Sequence, residues 1–307
     1  MSDPHEELLE ELRPAAFGIA YRMLGSVAEA EDVVQEALLR LHRALEEGQR
    51  IESPRAYVAT IATRLAIDEL RSARARRETY PGDWLPEPIV TDPSEDPARH
   101  VEMADSLSLA FLVLLESLSP EQRAVFLLHD VFDYGYGEIA EIVGKSEDNA
   151  RQLAARARRH VEEARPRYEA SRERRDELAR RFFAAAREGD VEGLESLLAK
   201  DVVLQGDGGG KVPALARALH GSRRVARTMG AWIRQGARIA GASIREVEVN
   251  GQPGALLLAG DGSLIGVWAL DIADGQIQAI SAVVNPDKLR HLGAVADVEA
   301  LLRGQTP

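Results

Sequence analysis

The stretch from residue 119 to residue 165 constrains the fold most, because each helix boundary in it carries its own chemical signal. Ser119 and Gln122 can form a capping box, with a proline at the first helical position between them. Gly144 can adopt the left-handed conformation that ends a helix, and Ser146 can cap the helix that follows. Two helices joined by so short a turn form a helix-turn-helix, whose second helix enters a DNA major groove.

The second helix of this motif combines an apolar face with a basic face. Its apolar residues recur at helical spacing and are expected to pack inward. Arginine and glutamine on the opposite face carry planar donor groups that read base edges or hold phosphates. The alternative is the solvated face of an ordinary amphipathic helix, and the turn chemistry in front of the helix favours DNA. The candidate DNA-contacting residues are Ser146, Asn149, Arg151, Gln152, Arg156 and Arg159.

Composition limits how such a motif can work. The formal net charge is −12, so the chain by itself is expected to bind DNA weakly, because phosphate neutralisation supplies most non-specific affinity. This favours a specificity subunit that a larger machine carries to DNA. The chain has no cysteine, which excludes disulfides and thiolate metal sites. Without a leader-like start or a long apolar run, we expect a cytoplasmic protein with no membrane contact.

Changes in pattern along the chain predict a multidomain fold. Residues 1–78 and residues 101–168 have helical apolar periodicity, and each predicts an all-α module. Residues 79–100 are rich in proline and aspartate and predict a linker. Residues 176–307 begin with helices and end with strands, which predicts an α+β domain with helices on one antiparallel sheet.

The strands of the last domain are marked by their turns. Beyond Gly241 the apolar residues alternate, and three Asn-Gly or Asp-Gly pairs follow, each a favoured hairpin turn. We predict an antiparallel meander of four strands, at about 242–249, 254–260, 263–272 and 276–284.

The order of these parts resembles the extracytoplasmic-function sigma factors of the sigma-70 family, from residue 1 to about residue 165. The segment Asp-Val-Val-Gln-Glu-Ala at 32–37 is similar to the part of the family that grips the clamp helices of the RNA polymerase largest subunit. Residues 55–71 are similar to the helix that melts and reads the minus-ten element. Residues 118–123 and 138–146 are similar to the region that reads the minus-thirty-five element.

The resemblance implies two partners, core RNA polymerase and promoter DNA. It assigns the helix-turn-helix residues to the minus-thirty-five element. The implied polymerase-binding residues are Asp32, Gln35, Glu36 and Leu39, and the implied minus-ten residues are Arg55, Arg64 and Arg71. The first three of these follow helical spacing on one face, for which the alternative is a solvated surface. Asp68 is expected to pair with a nearby arginine, because DNA would repel it.

Beyond residue 165 the chain resembles the sigma factor group with a C-terminal SnoaL-like extension. Three short signatures carry this likeness: Trp84–Pro88 in the linker, Asp207–Lys211 and Asn285–Leu289. In this group the extension resembles a built-in regulator that replaces a separate anti-sigma protein. The implied interdomain residues are Trp84, Leu85, Pro86, Asp207, Gly208, Gly209, Gly210, Lys211, Asn285, Pro286, Asp287, Lys288 and Leu289.

These signatures also support predictions from their own chemistry. An exposed aromatic side chain lowers solubility, so Trp84 is expected to anchor the linker on a folded domain. The glycine-rich segment is not a Walker loop, because Gln205 and Val212 stand where that pattern needs a glycine and a Ser or Thr. We expect it instead to let another backbone approach closely, and to lie beside the Asn285–Leu289 segment. Together these two segments are expected to contact the linker or the first domain.

SnoaL-like folds also include small enzymes, so catalysis is an alternative for the last domain. Its only histidines, His220 and His291, lie outside the predicted strands. We predict no catalytic residue, no cofactor and no metal. A pocket that senses a small molecule, lined by Trp232 and Trp268, remains an alternative to core packing, and a protein signal on this domain is another.

Overall fold

The computed structural model of the chain describes residues 4–91, 106–164 and 171–303. Contacts divide these residues into two compact units. The helical unit contains residues 4–79 and 114–164, and the sheet unit contains residues 80–91, 106–113 and 171–303. By its contacts, the described part of the predicted linker therefore belongs to the sheet unit.

All the regular secondary structure described as far as residue 164 is helical, apart from one short strand in the linker. A π-helical segment, Leu127–Val131, extends the fifth helix. The helices are α1 (Pro4–Leu24), α2 (Val27–Glu46), α3 (Pro54–Glu78), α4 (Leu109–Leu115), α5 (Pro120–Phe126), α6 (Tyr136–Val143) and α7 (Glu147–Ala164).

The predicted boundary chemistry of the helix-turn-helix is confirmed. The Ser119 hydroxyl accepts the Gln122 amide at 3.2 Å, and the Gln122 side chain accepts the Ser119 amide at 3.0 Å. Gly144 ends α6 with φ +66°, the left-handed region that a glycine adopts without strain. Ser146 then accepts the Asn149 amide at 3.3 Å at the start of α7. Helices α6 and α7 therefore form the two arms of the motif.

Two buried arginines join helices α1 and α5 of the helical unit. The Arg123 side chain donates to the Arg22 carbonyl at 3.1 Å and to Glu116 at 2.5 Å. Arg22 lies 5.5 Å from the centre of the Phe132 ring, and burial lowers the pKa of Arg22 to about 10. Since α3 also packs against α5 and α6, the two predicted helical modules form one unit.

The sheet unit contains seven strands and four helices of its own, apart from α4, in the part of the chain that is described. Short 3-10 turns follow the last strand, at Pro286–Lys288 and Arg290–Leu292. The elements are β1 (Val90–Thr91), α8 (Arg172–Glu188), α9 (Val191–Leu197), β2 (Leu198–Asp207), β3 (Leu219–His220), α10 (Ser222–Gly236), β4 (Ser243–Val249), β5 (Gln252–Leu258), β6 (Leu264–Ala273), β7 (Gln276–Val283) and α11 (Val298–Leu302).

The sheet is larger than the predicted meander. Strands β4 to β7 form that meander as predicted, and the full order is β1-β4-β5-β6-β7-β2-β3. Strand β2 runs parallel to β7, and β1 adds linker residues to the edge of β4, with Val90 opposite Val249. Sequence periodicity did not predict these additions, because β2 follows α9 without a turn and β1 has two residues.

Alternating side chains divide the sheet unit into two hydrophobic layers. One face of the sheet carries Trp268 and Leu270, which pack with Phe182 and other residues of the helices. The opposite face carries Val267 and Ala269 and packs with residues from α4, the 3-10 turns and the linker. The linker therefore covers part of the sheet.

No helix among residues 4–91, 106–164 and 171–303 combines the length and the apolar character needed to cross a membrane.

Candidate functional site

The predicted polymerase-binding residues lie on one face of α2. Asp32 and Gln35 are exposed, and Glu36 is half-buried and accepts a hydrogen bond from Arg40 at 2.7 Å. Leu39, one turn further on, is 38% exposed. Among the described residues, only Leu39 and Val90 are large hydrophobic side chains with such exposure. The four predicted residues therefore form a surface with one apolar side chain beside acidic and amide groups.

The recognition helix α7 presents the predicted DNA-contacting face to solvent. Ala150, Ala154 and Ala157 are fully buried beneath it. All six predicted DNA-contacting residues are exposed: Ser146, Asn149, Arg151, Gln152, Arg156 and Arg159.

The arginines of α7 differ in their partners. Arg151 pairs with Glu147 and lies 5.1 Å from the centre of the Tyr136 ring. Arg158 is half-buried and pairs with Asp130 at 2.7 Å, so it stabilises the motif. Arg156 and Arg159 have no ion-pair partner within the described residues. Among these four arginines of α7, Arg156 and Arg159 are therefore the least constrained by protein partners.

Two of the predicted minus-ten arginines of α3, Arg64 and Arg71, are bonded to residues between 121 and 142. Arg55 lies beside the Tyr134 side chain, and burial raises the pKa of Tyr134. Arg64 donates to the carbonyls of Glu141 and Ile142, each at 2.8 Å. These carbonyls lie in the last turn of α6, where backbone acceptors lack helical partners.

The third arginine bridges two carboxylates. Arg71 lies 2.6 Å from Glu121 of α5 and 3.0 Å from Asp68 of its own helix, the second pair matching the expectation for Asp68. The hydrogen bond from Arg71 lowers the pKa of Glu121. In this arrangement the guanidinium groups of Arg64 and Arg71 are therefore occupied by protein partners.

Asp207, at the end of β2, is the centre of a buried cluster that holds the linker. The residue is 1% exposed, and its carboxylate accepts hydrogen bonds from the Tyr80 hydroxyl at 2.6 Å and the Leu85 amide at 2.9 Å. It also accepts the Gly209 amide at 3.0 Å and lies 2.7 Å from Lys288 Nζ. Two of these donors belong to the linker, so one carboxylate connects the linker to β2.

Lys288 supplies the opposite charge in this cluster. The residue is 6% exposed, and its ammonium group also donates to the Leu85 carbonyl. It lies 4.1 Å from the centre of the Trp84 ring and 5.0 Å from that of Tyr80. Both rings contact the cation through their electron-rich faces. Burial, with the hydrogen bond to Asp207, raises the pKa of Tyr80, so its hydroxyl remains a donor.

The two C-terminal signatures lie side by side in this cluster. A Cβ atom on Gly209 would come within 2.3 Å of the Asn285 amide nitrogen, and φ there is +61°. Asn285 donates to the Tyr80 hydroxyl oxygen at 2.8 Å. Lys211 forms an ion pair with Asp287, which closes the outer side of the contact. The glycines therefore allow close approach of the second segment, although the group that approaches Gly209 is the Asn285 side chain and not the predicted backbone.

The linker is anchored by Leu85 more deeply than by Trp84. Leu85 is 0% exposed and packs against the sheet, whereas Trp84 is half-buried over Lys288. Pro86 is also buried, and a Cβ atom on Gly210 would clash with Pro81 at 2.7 Å. The aromatic residue is therefore a cover for the ion pair, and the adjacent leucine is the hydrophobic anchor.

A second attachment of the linker was not predicted. Fully buried Asn250 accepts the Ile89 amide at 2.8 Å and donates to the Leu107 carbonyl at 3.0 Å. His291 Nε2 lies 2.8 Å from the Pro88 carbonyl oxygen. The Asn-Gly pair at 250 predicted a hairpin turn, and no sequence signal indicated its partners in the linker. The sequence also gave no indication that Tyr80 would bind Asp207.

The sheet unit also contains a cavity of about 660 Å³ beside α10. Its lining includes both predicted tryptophans, Trp232 and Trp268, and contains no histidine, aspartate, glutamate, lysine or tyrosine among the described residues. His220 ends the short strand β3, which the sequence did not predict, and it is exposed away from the lining. In the described ranges, no group of three His, Cys, Asp or Glu residues is placed to hold a metal ion.

Comparison with known proteins relates both the helical modules and most of the chain to sigma factors. Models of sigma-70 region 2 and sigma-70 region 4 match residues 8–76 and 108–161. The chain is 41% identical over 290 residues to the ECF RNA polymerase sigma factor SigJ of Mycobacterium tuberculosis, covering 91% of each protein. It is 34% identical over 283 residues to the probable ECF RNA polymerase sigma factor SigI of the same species, covering 90% of this chain and 91% of that protein.

A solved structure extends the likeness to the fold. The crystal structure of Mycobacterium tuberculosis SigJ matches 92% of this chain and 98% of its own, with a TM-score of 0.74 and 36% identity. The predicted fold class, helical sigma modules followed by an α+β domain of the SnoaL-like type, is confirmed. The chain belongs to the extracytoplasmic-function sigma factors of the sigma-70 family, and its partners are core RNA polymerase and promoter DNA.

Proposed function

We propose that the SnoaL-like domain regulates this sigma factor by holding the linker, in place of a separate anti-sigma protein. The observation that carries the proposal is the buried Asp207 cluster, which binds Tyr80 and Leu85. Helix α3 ends at Glu78, two residues before this attachment begins. Holding the linker therefore limits the freedom of the minus-ten helix relative to the rest of the chain. Two DNA-binding modules gain affinity from a tether only when its span suits both sites.

We further propose that the packed helical unit is a closed state that must open at a promoter. Arg64 and Arg71 are bonded within the protein, so the same groups are not available to minus-ten DNA in this arrangement. Opening exchanges these bonds for contacts with polymerase and DNA. The SnoaL-like domain biases this exchange through the linker, without contacting DNA itself.

The linker function is tested by Leu85→Ala in transcription with purified core polymerase and a promoter. Loss of the buried leucine should release the linker from the sheet, so promoter output should change while polymerase affinity stays the same. Leu194→Ala is the matched control, because Leu194 is equally buried but lies in the other hydrophobic layer. Equal output from both variants would contradict the regulatory role of the linker.

The closed state is tested by Glu121→Gln. Exposed ion pairs contribute little to stability, and Arg71 keeps its pair with Asp68, so loss of the Glu121 carboxylate should raise open-complex formation by no more than about fivefold. Permanganate footprinting of the minus-ten region measures this change. Glu162→Gln, on an exposed position of α7, removes the same charge without touching α3 and should have no effect. An unchanged footprint for Glu121→Gln would argue against the idea that this contact limits open-complex formation.

The same contact should depend on pH. Because Arg71 lowers the pKa of Glu121, the ion pair is fully present above the ordinary glutamate pKa. It is lost as the pH falls through the lowered value. Acid unfolding of the wild type should therefore be steeper below about pH 4.5 than that of Glu121→Gln. Overlapping curves in circular dichroism would contradict the assignment.

The polymerase-binding role of α2 is tested by Leu39→Asp. Leu39→Asp places an unpaired charge in the proposed interface, where its desolvation is unfavourable, so affinity for core polymerase should fall by about tenfold. The change can be measured by fluorescence anisotropy with labelled sigma factor. Glu31→Gln is the control on the same helix, because Glu31 is not among the predicted polymerase-binding residues and its carboxylate pairs with Arg13. Undiminished binding by Leu39→Asp would remove this residue from the interface.

We propose that the chain has no catalytic activity and acts in the cytoplasm with core polymerase. The described cavity lining offers no general acid or base, which catalysis in such a cone requires. Retained activity of the SnoaL-like domain is the rival function. Finding turnover of a small-molecule substrate by the purified chain would support it.

A further inference from the structure

The cavity in the sheet unit has the size and lining of a small-molecule site. Its volume of about 660 Å³ lies within the usual range for ligand pockets, roughly 300–1,000 Å³. Trp232 and Trp268 contribute aromatic surface, and Ile239, Leu257 and Ile265 contribute aliphatic surface. Trp232, Leu257 and Ile265 are only half-buried, so part of the apolar lining is accessible from the cavity.

The charges of the lining indicate which ligand the cavity accepts. Arg187 is the only charged residue among the described lining residues. Its guanidinium group pairs with Glu246 at 2.6 Å and contacts the Ile244 carbonyl at 3.4 Å. Gln235 and Ser243 provide uncharged polar groups. A charged ligand would lose its hydration without gaining an unpaired counter-charge, so the cavity favours a neutral, largely apolar molecule.

One wall of the cavity is shared with the linker attachment. Residues 212–215 line the cavity and directly follow the glycine-rich segment of the Asp207 cluster. The Leu215 carbonyl would lie 3.4 Å from a Cβ atom on Gly82, in the linker. On the other side, the Leu215 amide would lie 3.1 Å from a Cβ atom on Gly206 of β2. Leu215 is therefore packed between the cavity, the sheet and the linker.

We propose that this cavity binds a neutral, largely apolar small molecule, and that residues 212–215 transmit its presence to the linker. A ligand that fills the cavity presses on the wall against which Gly82 packs. Displacement of that wall alters how Tyr80 and Leu85 reach Asp207. Ligand binding is independent of the proposed function, whereas the transmission to the linker rests on it.

The binding step is tested with N-phenyl-1-naphthylamine, a neutral fluorescent probe, added to the full chain. We expect saturable binding at one site, and at least tenfold weaker binding of the anionic analogue 8-anilino-1-naphthalenesulfonate. Ala242→Phe places a ring at the cavity lining and should weaken probe binding by at least tenfold. Ala240→Phe is the control, because Ala240 is exposed nearby but is not part of the lining.

Three results would overturn the binding site: no saturable binding, equal affinity for the anionic analogue, or equal affinity of the two variants. Circular dichroism of each variant shows whether the fold is kept, and Ser243→Phe provides a second blocked lining if Ala242→Phe does not fold. None of these results bears on the regulatory role of the linker.

The transmission step is tested by hydrogen exchange of the linker amides with and without the probe. Exchange at the Leu85 amide, which donates to Asp207, should change at least threefold when the probe saturates the wild type. The change should be absent in Ala242→Phe. Probe binding with unaltered exchange at Leu85 would overturn the transmission while leaving the site in place.

Discussion

Replacing Asp207 by alanine should lower the free energy of unfolding of the sheet unit by about 3–5 kcal/mol, because it leaves the buried Lys288 ammonium without its counter-charge. The same change removes the acceptor of the Tyr80 hydroxyl and the Leu85 amide. The linker should therefore detach before the sheet unfolds. Thermal unfolding followed by tryptophan fluorescence, with hydrogen exchange at residues 80–91, measures both effects.

Asp287→Ala is the matched control for this prediction. Asp287 belongs to the same cluster, but its pairs with Lys211 and Arg290 are exposed, so its loss should cost less than about 1 kcal/mol. Equal destabilisation by the two variants would show that the buried ion pair is not the centre of the attachment. A stable Asp207→Ala chain with a protected linker would contradict the proposed attachment altogether.

Replacing Arg156 by alanine should weaken promoter binding by the holoenzyme by about 5- to 150-fold. A side chain that reads a base through two hydrogen bonds contributes about 1–3 kcal/mol, and Arg156 is exposed without an ion-pair partner in the described chain. Electrophoretic mobility shift with core polymerase, at fixed salt, measures the change. Arg151 already pairs with Glu147, so Arg151→Ala should have a smaller effect.

Arg174→Ala controls for charge in this experiment, because Arg174 is exposed on α8, outside the sigma modules. It should leave promoter affinity unchanged. Binding to promoters with altered minus-thirty-five sequences separates two roles of Arg156. A base contact relaxes specificity at one position, whereas a phosphate contact weakens all sequences equally. Full affinity of Arg156→Ala would remove it from the recognition face.

The net charge of −12 is consistent with the arrangement of these sites. Acidic residues outnumber basic ones, and Arg64 and Arg71 of α3 are bonded to protein acceptors. The proposed closed state and the acidic net charge would both act against DNA binding by the free protein, so we expect promoter binding to require core polymerase.

The helix-turn-helix and the meander could be predicted from the sequence alone, because local interactions specify them. The capping box joins Ser119 to Gln122, and the turn at Asn250-Gly251 joins adjacent strands. Such signals act within a few positions, so a sequence pattern contains all their partners. The same holds for the faces of α2 and α7, where spacing alone placed Asp32 and Arg156 on exposed surfaces.

Contacts between distant positions could not be read in this way. Arg64 and Ile142 are 78 positions apart, and Leu85 and Asp207 are 122 apart. Arg64 could face DNA or the end of α6 with the same local sequence, and Leu85 gained its role as anchor from a layer built by distant strands. Which pairing forms is decided by the burial and hydrogen bonding of the whole folded chain, since each local segment is compatible with several partners.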